Sequence, residues 1–286
     1  MGAWSLKLLW MLVLGIWSFS PNAATDALTL SWTNNLLTVH GPNLPGGKLE
    51  IWYPEAFCRK GSRDRDWGET TWPYKTVLRS AEPQFLQFRT RIEPDVDVRH
   101  AVRIQENEIL FSYCLYNTGK VAIDIEWFQP ACIRVAEFTG CNQSNYTAKS
   151  FIFTERGLTT LDKTARQPEN DARYHGGQVY VPKGINLDDA NPRPICRDQP
   201  TNGLIGCFSA DGKYLLATAS SRTHELFEGV YVCLHSDPHV GGLAPGRYQL
   251  HSSRIYFMTN DPAALLKRYQ KDYPVETNRL KAPAGF

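Results

Sequence analysis

Apolar and polar residues alternate between positions 96 and 104, and this alternation constrains the fold more than any other feature of the sequence. Val96, Val98, Val102 and Ile104 lie on one side of the pattern together with His100, and the other side is mostly charged. A period of two is typical of a β-strand with one buried face. A turn at residues 106–107 leads into a second apolar run at 109–116. The segment therefore predicts an antiparallel hairpin in which His100 is a core histidine with satisfied hydrogen bonds.

Short strand-like runs of the same kind recur along the rest of the chain. They lie at residues 28–32, 36–40, 49–53, 85–92, 121–128, 151–153, 179–181, 204–208, 214–219, 230–235 and 248–258. One helix is indicated near the end, where Asn260 or Asp261 supplies the N-cap, Pro262 suits the first turn and Pro274 ends the segment. The sequence predicts an all-β fold, a large antiparallel sandwich of two sheets with one C-terminal helix.

The first 24 residues have the pattern of a secretory signal peptide. Lys7 supplies a positive charge, residues 8–19 form an apolar run, and small residues follow up to Ala24. A membrane-spanning helix needs about 20 apolar residues, so an uncleaved anchor is the less favoured alternative. We expect a secreted or periplasmic protein without an integral membrane span after signal removal. Its single β-sandwich domain is expected over residues 25–275, with a flexible tail at 276–286.

The net charge argues against a nucleic-acid partner, and the cysteine spacing argues against a C-x-x-C metal or redox site. The formal net charge of +2 gives no electrostatic basis for nucleic-acid binding. Seven cysteines leave at least one thiol unpaired in a monomer, and the chain has no C-x-x-C motif. The candidate disulfides are Cys132 with Cys141 and Cys196 with Cys207, and we interpret the cysteines inside apolar runs as buried thiols.

Several familiar catalytic motifs do not occur in the sequence. It contains no G-x-S-x-G, H-E-x-x-H, P-loop, dinucleotide-binding glycine pattern or EF-hand loop. Hydride transfer, phosphoryl transfer from nucleotides and zincin-type proteolysis are therefore disfavoured, and we assign no cofactor. The candidates for function are instead clusters of polar and aromatic residues.

The first two clusters lie on either side of the predicted strand at 230–235. His235, Asp237 and His239 occupy alternate positions, where they can form an acid–base pair or bind a metal. This spacing is not specific for a metal, so we predict catalytic roles for His235 and Asp237 and no metal site. Glu225 precedes the same strand and comes within reach if the two segments are neighbours. The alternatives are a strand end where Asp237 caps backbone amides and a solvated turn around Glu225.

Aromatic residues beside polar ones suggest contacts with a sugar. Trp127 and Gln129 share one face of a predicted strand, and Arg134 follows. An indole can stack on a sugar ring while an amide and a guanidinium bind its hydroxyl groups. Trp72, in a charge-rich segment, is a further candidate for stacking. The alternative for both tryptophans is packing within the protein.

The polar stretch at residues 157–200 predicts a long loop, and loops of this length are often functional. Tyr174 and His175 precede a pair of glycines, which allow close approach of the backbone. We predict that Tyr174 contacts substrate and that His175 transfers protons, with a plain ordered loop as the alternative.

Four segments carry a resemblance to known proteins. They are residues 49–54, 128–134, 202–211 and 232–237, and with the strand order they resemble a group of exported bacterial proteins of planctomycete type. The resemblance covers most of residues 28–275. That group is similar in strand pattern to the galactose mutarotase-like supersandwich superfamily. The superfamily implies a concave sheet face that binds carbohydrate, in epimerases, lyases and glycosidase accessory domains. Mutarotases carry an Asn-His motif that this chain lacks, so none of their catalytic residues is transferred.

The expected function is thus that of an exported carbohydrate-binding protein that acts on a saccharide held on a concave β-face. If the protein is an enzyme, His235 and His175 transfer protons in an epimerisation or a lyase reaction, and Glu225 or Asp237 orients them or accepts the proton. Hydrolysis would need two opposed carboxylates, for which Glu225 and Asp237 are the candidates. The expected partner is an oligo- or polysaccharide. The alternative is a non-catalytic binding or structural module of the cell envelope.

Overall fold

The computed structural model describes residues 28–42, 44–106, 108–168 and 172–274. The expected signal peptide and the expected C-terminal tail lie outside these residues. Within them, no helix has both the length and the apolar character needed to cross a membrane.

The described residues are mostly β-strand. The strands are β1 (Thr29–Thr33), β2 (Leu36–His40), β3 (Lys48–Trp52), β4 (Ala56–Cys58), β5 (Tyr74–Glu82), β6 (Phe85–Ile92), β7 (Val96–Gln105), β8 (Glu108–Asn117), β9 (Trp127–Gln129), β10 (Cys132–Arg134), β11 (Ser150–Thr154), β12 (Gly157–Thr160), β13 (Gln178–Tyr180), β14 (Ile205–Phe208), β15 (Tyr214–Ser220), β16 (Thr223–Gly229), β17 (Cys233–Pro238) and β18 (Tyr248–Thr259). The helices are α1 (Trp67–Thr70), α2 (Ala136–Thr139) and α3 (Pro262–Asp272), with short 3₁₀ turns at Ser62–Asp64, Tyr146–Ala148, Leu161–Lys163 and Leu187–Asp189.

Two large antiparallel sheets form the body of the protein. One has seven strands in the order β1-β2-β3-β10-β17-β16-β13, and the other has nine in the order β12-β11-β14-β15-β18-β8-β7-β6-β5. The sheets face each other across the main core, where Ile133 and Leu234 of the first sheet join Val98 and Phe111 of the second. Each such side chain contributes about 1.5–3 kcal/mol on burial. The predicted all-β, two-sheet fold is confirmed.

The predicted hairpin and the predicted helix are both present. β7 and β8 pair in register, with Val102 opposite Phe111, and the apolar side of the β7 pattern is buried. The side chain of Asp261 accepts a hydrogen bond from the Ala264 backbone amide and so caps α3. The apolar stripe of α3, which includes Leu265, packs on residues of β15 outside the main core.

Three sequence interpretations need correction in the region that forms the site. Residues 121–126 are not a strand, because the backbone at Ile123 bonds to Leu243 instead, and only Trp127–Gln129 pairs as β9. The strand expected at 230–235 runs instead from Cys233 to Pro238, after a left-handed residue at Val232 (φ 52°). The stretch weighed as a solvated turn around Glu225 is the buried strand β16.

Candidate functional site

A group of buried polar side chains lies on the face of the seven-stranded sheet that points away from the main core. β17 presents Cys233, His235 and Asp237 at alternate positions, whereas Leu234 between them belongs to the core. The neighbouring strand β16 places Glu225 directly opposite Asp237. Because the strands are adjacent, the predicted approach of Glu225 to His235 and Asp237 is realised in the structure.

A second layer of chain covers this outer face. The short sheet of β4 and β9 supplies Gln129, whose side-chain amide donates to Asp237 Oδ2 at 3.3 Å. The backbone amide of Asn191 donates to Glu225 Oε2 at 3.0 Å. Glu55, which precedes β4, has 29% of its side chain exposed, against 1% for His235. Glu55 is therefore the acidic group of the site that solvent reaches most readily.

His235 lies between carboxylates on one side of its ring and a thiol on the other. Its Nδ1 is 3.5 Å from Glu55 Oε2 and 3.9 Å from Asp237 Oδ1, and its Nε2 is 3.5 Å from Cys233 Sγ. Burial disfavours the charged imidazole. The charge of Glu55 and the hydrogen bond with Cys233 outweigh burial, and they raise the pKa of His235 to about 10. The imidazole therefore holds a proton at neutral pH.

Glu225 and Asp237 form a coupled pair of buried carboxyl groups. Burial raises the pKa of Glu225 well above its usual range, and the neighbouring Asp237 raises it further. Burial also raises the pKa of Asp237, while His235 partly opposes that rise. Two carboxylates that share a buried site do not both ionise readily, so the pair retains a proton at neutral pH.

Two thiols stand next to His235. Cys132 is on β10 and Cys233 on β17. Their sulfur atoms and a ring nitrogen of His235 all lie within 4.8 Å of one another. A hydrogen bond between the thiols lowers the pKa of Cys233 well below its usual range and raises that of Cys132. Neither thiol is among the residues that the sequence predicts for the site.

Neither of the two candidate disulfides is present. All seven cysteines, which lie within the described residues, are free thiols. The pairings of Cys132 with Cys141 and of Cys196 with Cys207 are therefore wrong for this structure. The sheet register explains the first case, because the Cys132 thiol meets Cys233 across the β10–β17 pair.

Unpartnered polar atoms concentrate in this part of the protein. Among the described residues, eleven buried side-chain nitrogen or oxygen atoms have no hydrogen-bond partner, and five belong to Glu55, Arg134, Glu225, His235 and Asp237. We call these five residues the outer-face cluster. Each unpartnered buried polar group costs about 1–3 kcal/mol, and native proteins keep such groups where a ligand, an ion or water satisfies them.

Arg134 lies at the rim of the cluster, and Trp127 lies two residues before Gln129 on β9. The Arg134 side chain is 41% exposed, with Nη1 3.9 Å from Glu50 Oε2. Trp127 is fully buried, lies parallel to the His224 ring at 5.3 Å and donates to Ser62 Oγ. The expectation that Trp127 stacks on a sugar is corrected, because its indole has no exposed face.

The loop residues Tyr174 and His175 are held on the cover above the sheet. The Tyr174 hydroxyl accepts a hydrogen bond from the Trp67 backbone amide at 2.8 Å. The carbonyl of His175 accepts from the guanidinium of Arg193, whose centre is 5.8 Å from the Phe227 ring. His175 is exposed, unlike His235, so the two histidines do not share one buried environment.

Trp72 is engaged in contacts within the protein. Its Nε1 donates to the Asp124 carbonyl at 2.8 Å, and the Arg59 guanidinium lies 3.7 Å above its ring. The arginine thus covers one face of the indole that was expected to stack on a sugar.

Glu55, Cys132 and Cys233 are the members of the site that sequence reasoning missed. A signal for Cys233 was present, because Cys233, His235 and Asp237 recur at the period of a strand. No comparable local signal marks Glu55 or Cys132, which reach the site through pairings distant in sequence.

Comparison with known proteins finds similar solved structures only. No family model and no curated protein matches the chain. A galactose mutarotase-like protein from Lactobacillus casei is 9% identical, with 81% of this chain and 100% of that chain covered and a TM-score of 0.42. The Slr1438 protein of Synechocystis is 11% identical (86% and 100% covered, TM-score 0.44). A putative aldose 1-epimerase from Escherichia coli is 10% identical (82% and 99% covered, TM-score 0.41).

Proposed function

We propose that the protein is an exported carbohydrate-active enzyme that holds a saccharide against the outer-face cluster. The observation that supports this proposal is the set of five unpartnered buried polar atoms in one small region. Arg134 Nε and a protonated His235 Nδ1 offer donors, and the carboxyl groups of Glu55, Glu225 and Asp237 offer acceptors. Sugar hydroxyls both donate and accept hydrogen bonds, so a polyol matches this mixture.

The reaction we propose is a proton transfer, as in epimerisation or lyase-type elimination. Glu55 is the partly exposed acidic member, so substrate meets this carboxyl group first. It takes a proton from one position of the sugar and returns it at another. The protonated His235, 3.5 Å behind it, stabilises the carboxylate form of Glu55, and Asp237 faces the same ring nitrogen. The exposed His175 has no part in this scheme, although the sequence suggested one.

A test combines binding and turnover measurements on the purified protein. Reducing sugars and uronate-containing oligosaccharides are screened by NMR in D₂O, which reports binding, accelerated anomer exchange, deuterium incorporation and elimination products. Glu55→Gln keeps the shape of the side chain but removes the base, so we expect affinity within a few-fold of wild type and turnover about 100-fold lower.

The matched control is Glu126→Gln. Glu126 is also a buried carboxylate beside a histidine, with Oε1 3.4 Å from His239 Nδ1, but it lies outside the cluster. We expect its turnover to match that of wild type. Absence of binding across the panel would contradict both carbohydrate proposals.

The alternative proposal is a non-catalytic binding module of the cell envelope. The observation that favours it is the nearly complete burial of Glu225, His235 and Asp237, which leaves Glu55 and Arg134 to make the contacts. Saccharide binding by the wild-type protein without any turnover would select this alternative over the enzyme.

Export remains part of the proposal and is supported by the pattern of residues 1–24. The test is N-terminal sequencing of the protein recovered outside the cytoplasm of a bacterial host. Processing near Ala24 is expected, and an intact N-terminus in the cytoplasm would contradict export.

A further inference from the structure

We propose that Cys132, Cys233 and the Nε2 atom of His235 form a binding site for a zinc-type transition-metal ion. The three groups supply three ligands and leave the fourth position of a tetrahedral ion for water or an exogenous ligand. This inference goes beyond the proposed carbohydrate function and does not depend on it.

The strand geometry brings the three ligands to one side of the sheet. Cys233 and His235 are two residues apart on β17 and so share a face. The neighbouring strand β10 pairs Arg134 with Cys233, and Cys132, two residues before Arg134, projects to the same face. Two local patterns that are separated by about 100 positions in the sequence thus form one site.

The distances fit a tetrahedral ion. One potential ligand atom from each residue lies within 4.8 Å of the other two, and Cys233 Sγ is 3.5 Å from His235 Nε2. With a Zn–S bond of about 2.3 Å and a Zn–N bond of about 2.0–2.1 Å, the tetrahedral angle places sulfur and nitrogen about 3.6 Å apart. The observed sulfur–nitrogen separation is therefore already that of two ligands on one ion.

The ligand types select the class of metal. Two thiolates and an imidazole suit zinc and related soft or borderline ions, whereas calcium and magnesium take oxygen ligands. All three side chains are buried, which shields metal–thiolate bonds from water. Three protein ligands with one open position is the arrangement found in catalytic rather than structural zinc sites.

The other side of the His235 ring is also arranged as in a metal site. A metal-bound histidine usually donates its second ring N–H to a carboxylate. Nδ1 of His235 faces Glu55 Oε2 at 3.5 Å and Asp237 Oδ1 at 3.9 Å. In a metal-bound His235, Nδ1 would donate to these carboxylates. That contact would involve three of the unpartnered atoms, His235 Nδ1, Glu55 Oε2 and Asp237 Oδ1.

A disulfide between the two thiols is disfavoured by the register. Arg134, not Cys132, is opposite Cys233, so the two cysteines are diagonal neighbours. Diagonal positions in an antiparallel pair have Cα atoms about 7–8 Å apart, and a disulfide rarely spans more than about 7 Å. The thiols therefore remain available to a metal.

The test begins with the reduced, metal-free wild-type protein. Zinc is titrated in competition with a chromophoric chelator, and cobalt(II) is added separately as a spectroscopic probe. We expect one equivalent of zinc per chain, a higher unfolding temperature with zinc, and a cobalt spectrum with a thiolate charge-transfer band and intense tetrahedral d–d bands.

Two single variants test the two thiolate ligands, and a third variant is the control. Cys132→Ser and Cys233→Ser are expected to lose stoichiometric zinc binding and the charge-transfer band. Cys141→Ser, at a half-buried thiol outside the site, is the matched control and is expected to bind as wild type does. Circular dichroism of each variant verifies folding, and the wild-type titration decides the question even if a variant does not fold.

Several results would overturn the proposal. They are the absence of stoichiometric uptake by the wild type, a cobalt spectrum without thiolate bands, and an equal loss in Cys141→Ser. A Cys132–Cys233 disulfide that persists in the protein isolated without reductant would also overturn it. Glu55→Gln separates this proposal from the carbohydrate one, because that variant keeps all three ligands and should bind zinc whether or not any sugar is turned over.

Discussion

Two buried histidines in this protein, His100 and His235, have opposite electrostatic environments. His100 lies between the sheets, with Nδ1 2.6 Å from the Tyr53 hydroxyl and Nε2 2.8 Å from Thr90 Oγ1. Burial lowers the pKa of His100 to about 3. His235 is equally buried, but its Nδ1 has no hydrogen-bond partner and its pKa is raised to about 10.

The difference lies in the neighbours and not in the depth of burial. Hydroxyl groups satisfy both nitrogens of His100 and leave the ring neutral, which confirms the interpretation of a core histidine. Carboxyl groups and thiols surround His235 and stabilise its charge, yet they leave polar atoms unpaired. A buried polar group with complete hydrogen bonding supports the fold, and one without it points to something that binds.

The largest expected effect is on the free energy of unfolding. It distinguishes two carboxylates of β16, one with complete hydrogen bonding and one without. Glu228 is paired with Arg166 and Tyr180, whereas Glu225 Oε1 has no partner. Glu228→Gln should lower the free energy of unfolding by about 2–3 kcal/mol, since Arg166 loses its partner and is partly exposed. Glu225→Gln should leave stability within about 0.5 kcal/mol of wild type or raise it.

Urea unfolding of the two variants measures this comparison directly. Because the substitutions are identical and lie three residues apart, each variant is the control for the other. Equal destabilisation by both substitutions would contradict the view that the hydrogen-bonded Glu228 supports the fold and the partly unpartnered Glu225 does not.

A third buried histidine, His251, shows how the pKa shifts when the ring nitrogens make no hydrogen bonds. Both of its ring nitrogens are unpartnered, and burial, with the charges of Arg222 and His239, lowers its pKa to about 4. A histidine with a lowered folded pKa stabilises the protein fully above the unfolded value of about 6.5 and loses that contribution as pH falls. The folded state resists protonation, while the unfolded state takes up the proton.

His251→Phe removes this dependence. Between pH 7 and pH 4.5, the stability of wild type should fall by about 2 kcal/mol relative to the variant. Denaturant unfolding at several pH values measures the difference, in which the titration of all other groups cancels. A constant difference across this pH range would show that His251 titrates normally.

The smallest effect concerns the hydrogen bond that satisfies His100. Tyr53→Phe removes the hydroxyl that contacts Nδ1 and leaves the ring nitrogen without this partner, which should cost about 1–2 kcal/mol. Tyr74→Phe is a useful control, because the Tyr74 hydroxyl bonds only to backbone carbonyls near the surface. If Tyr53→Phe leaves the free energy of unfolding unchanged, the hydrogen bond to Nδ1 of His100 does not stabilise the folded protein.

The fold and part of the site follow from local sequence patterns. The period-two pattern of β7 fixes its buried face, and the cap at Asp261 fixes the start of α3. The alternate positions of His235, Asp237 and His239 marked the segment that forms β17, and Glu225 was a candidate because its own segment directly precedes that strand. These features depend on neighbours within a few positions of the chain.

The remainder of the site depends on pairings that a single sequence does not reveal. Glu55 reaches His235 through the β4–β9 pair and Cys132 through the β10–β17 pair, and neither residue carries a local pattern. The burial of Trp127 depends on its stacking against His224, about 100 positions away. Sequence therefore identified the strand that carries the chemistry but not the residues that other strands bring to it.

The left-handed backbone at Val232 has a consequence for how this protein tolerates insertions and deletions. A β-branched residue with φ 52° is strained by about 1–2 kcal/mol, and the bond from the Val135 amide to its carbonyl holds it in place. It sets the phase of the strand that follows. Loss or gain of one residue here would turn Leu234 outward and His235 into the core. A one-residue insertion or deletion in this turn would therefore reverse which side chains of β17 face the core and which face the candidate site.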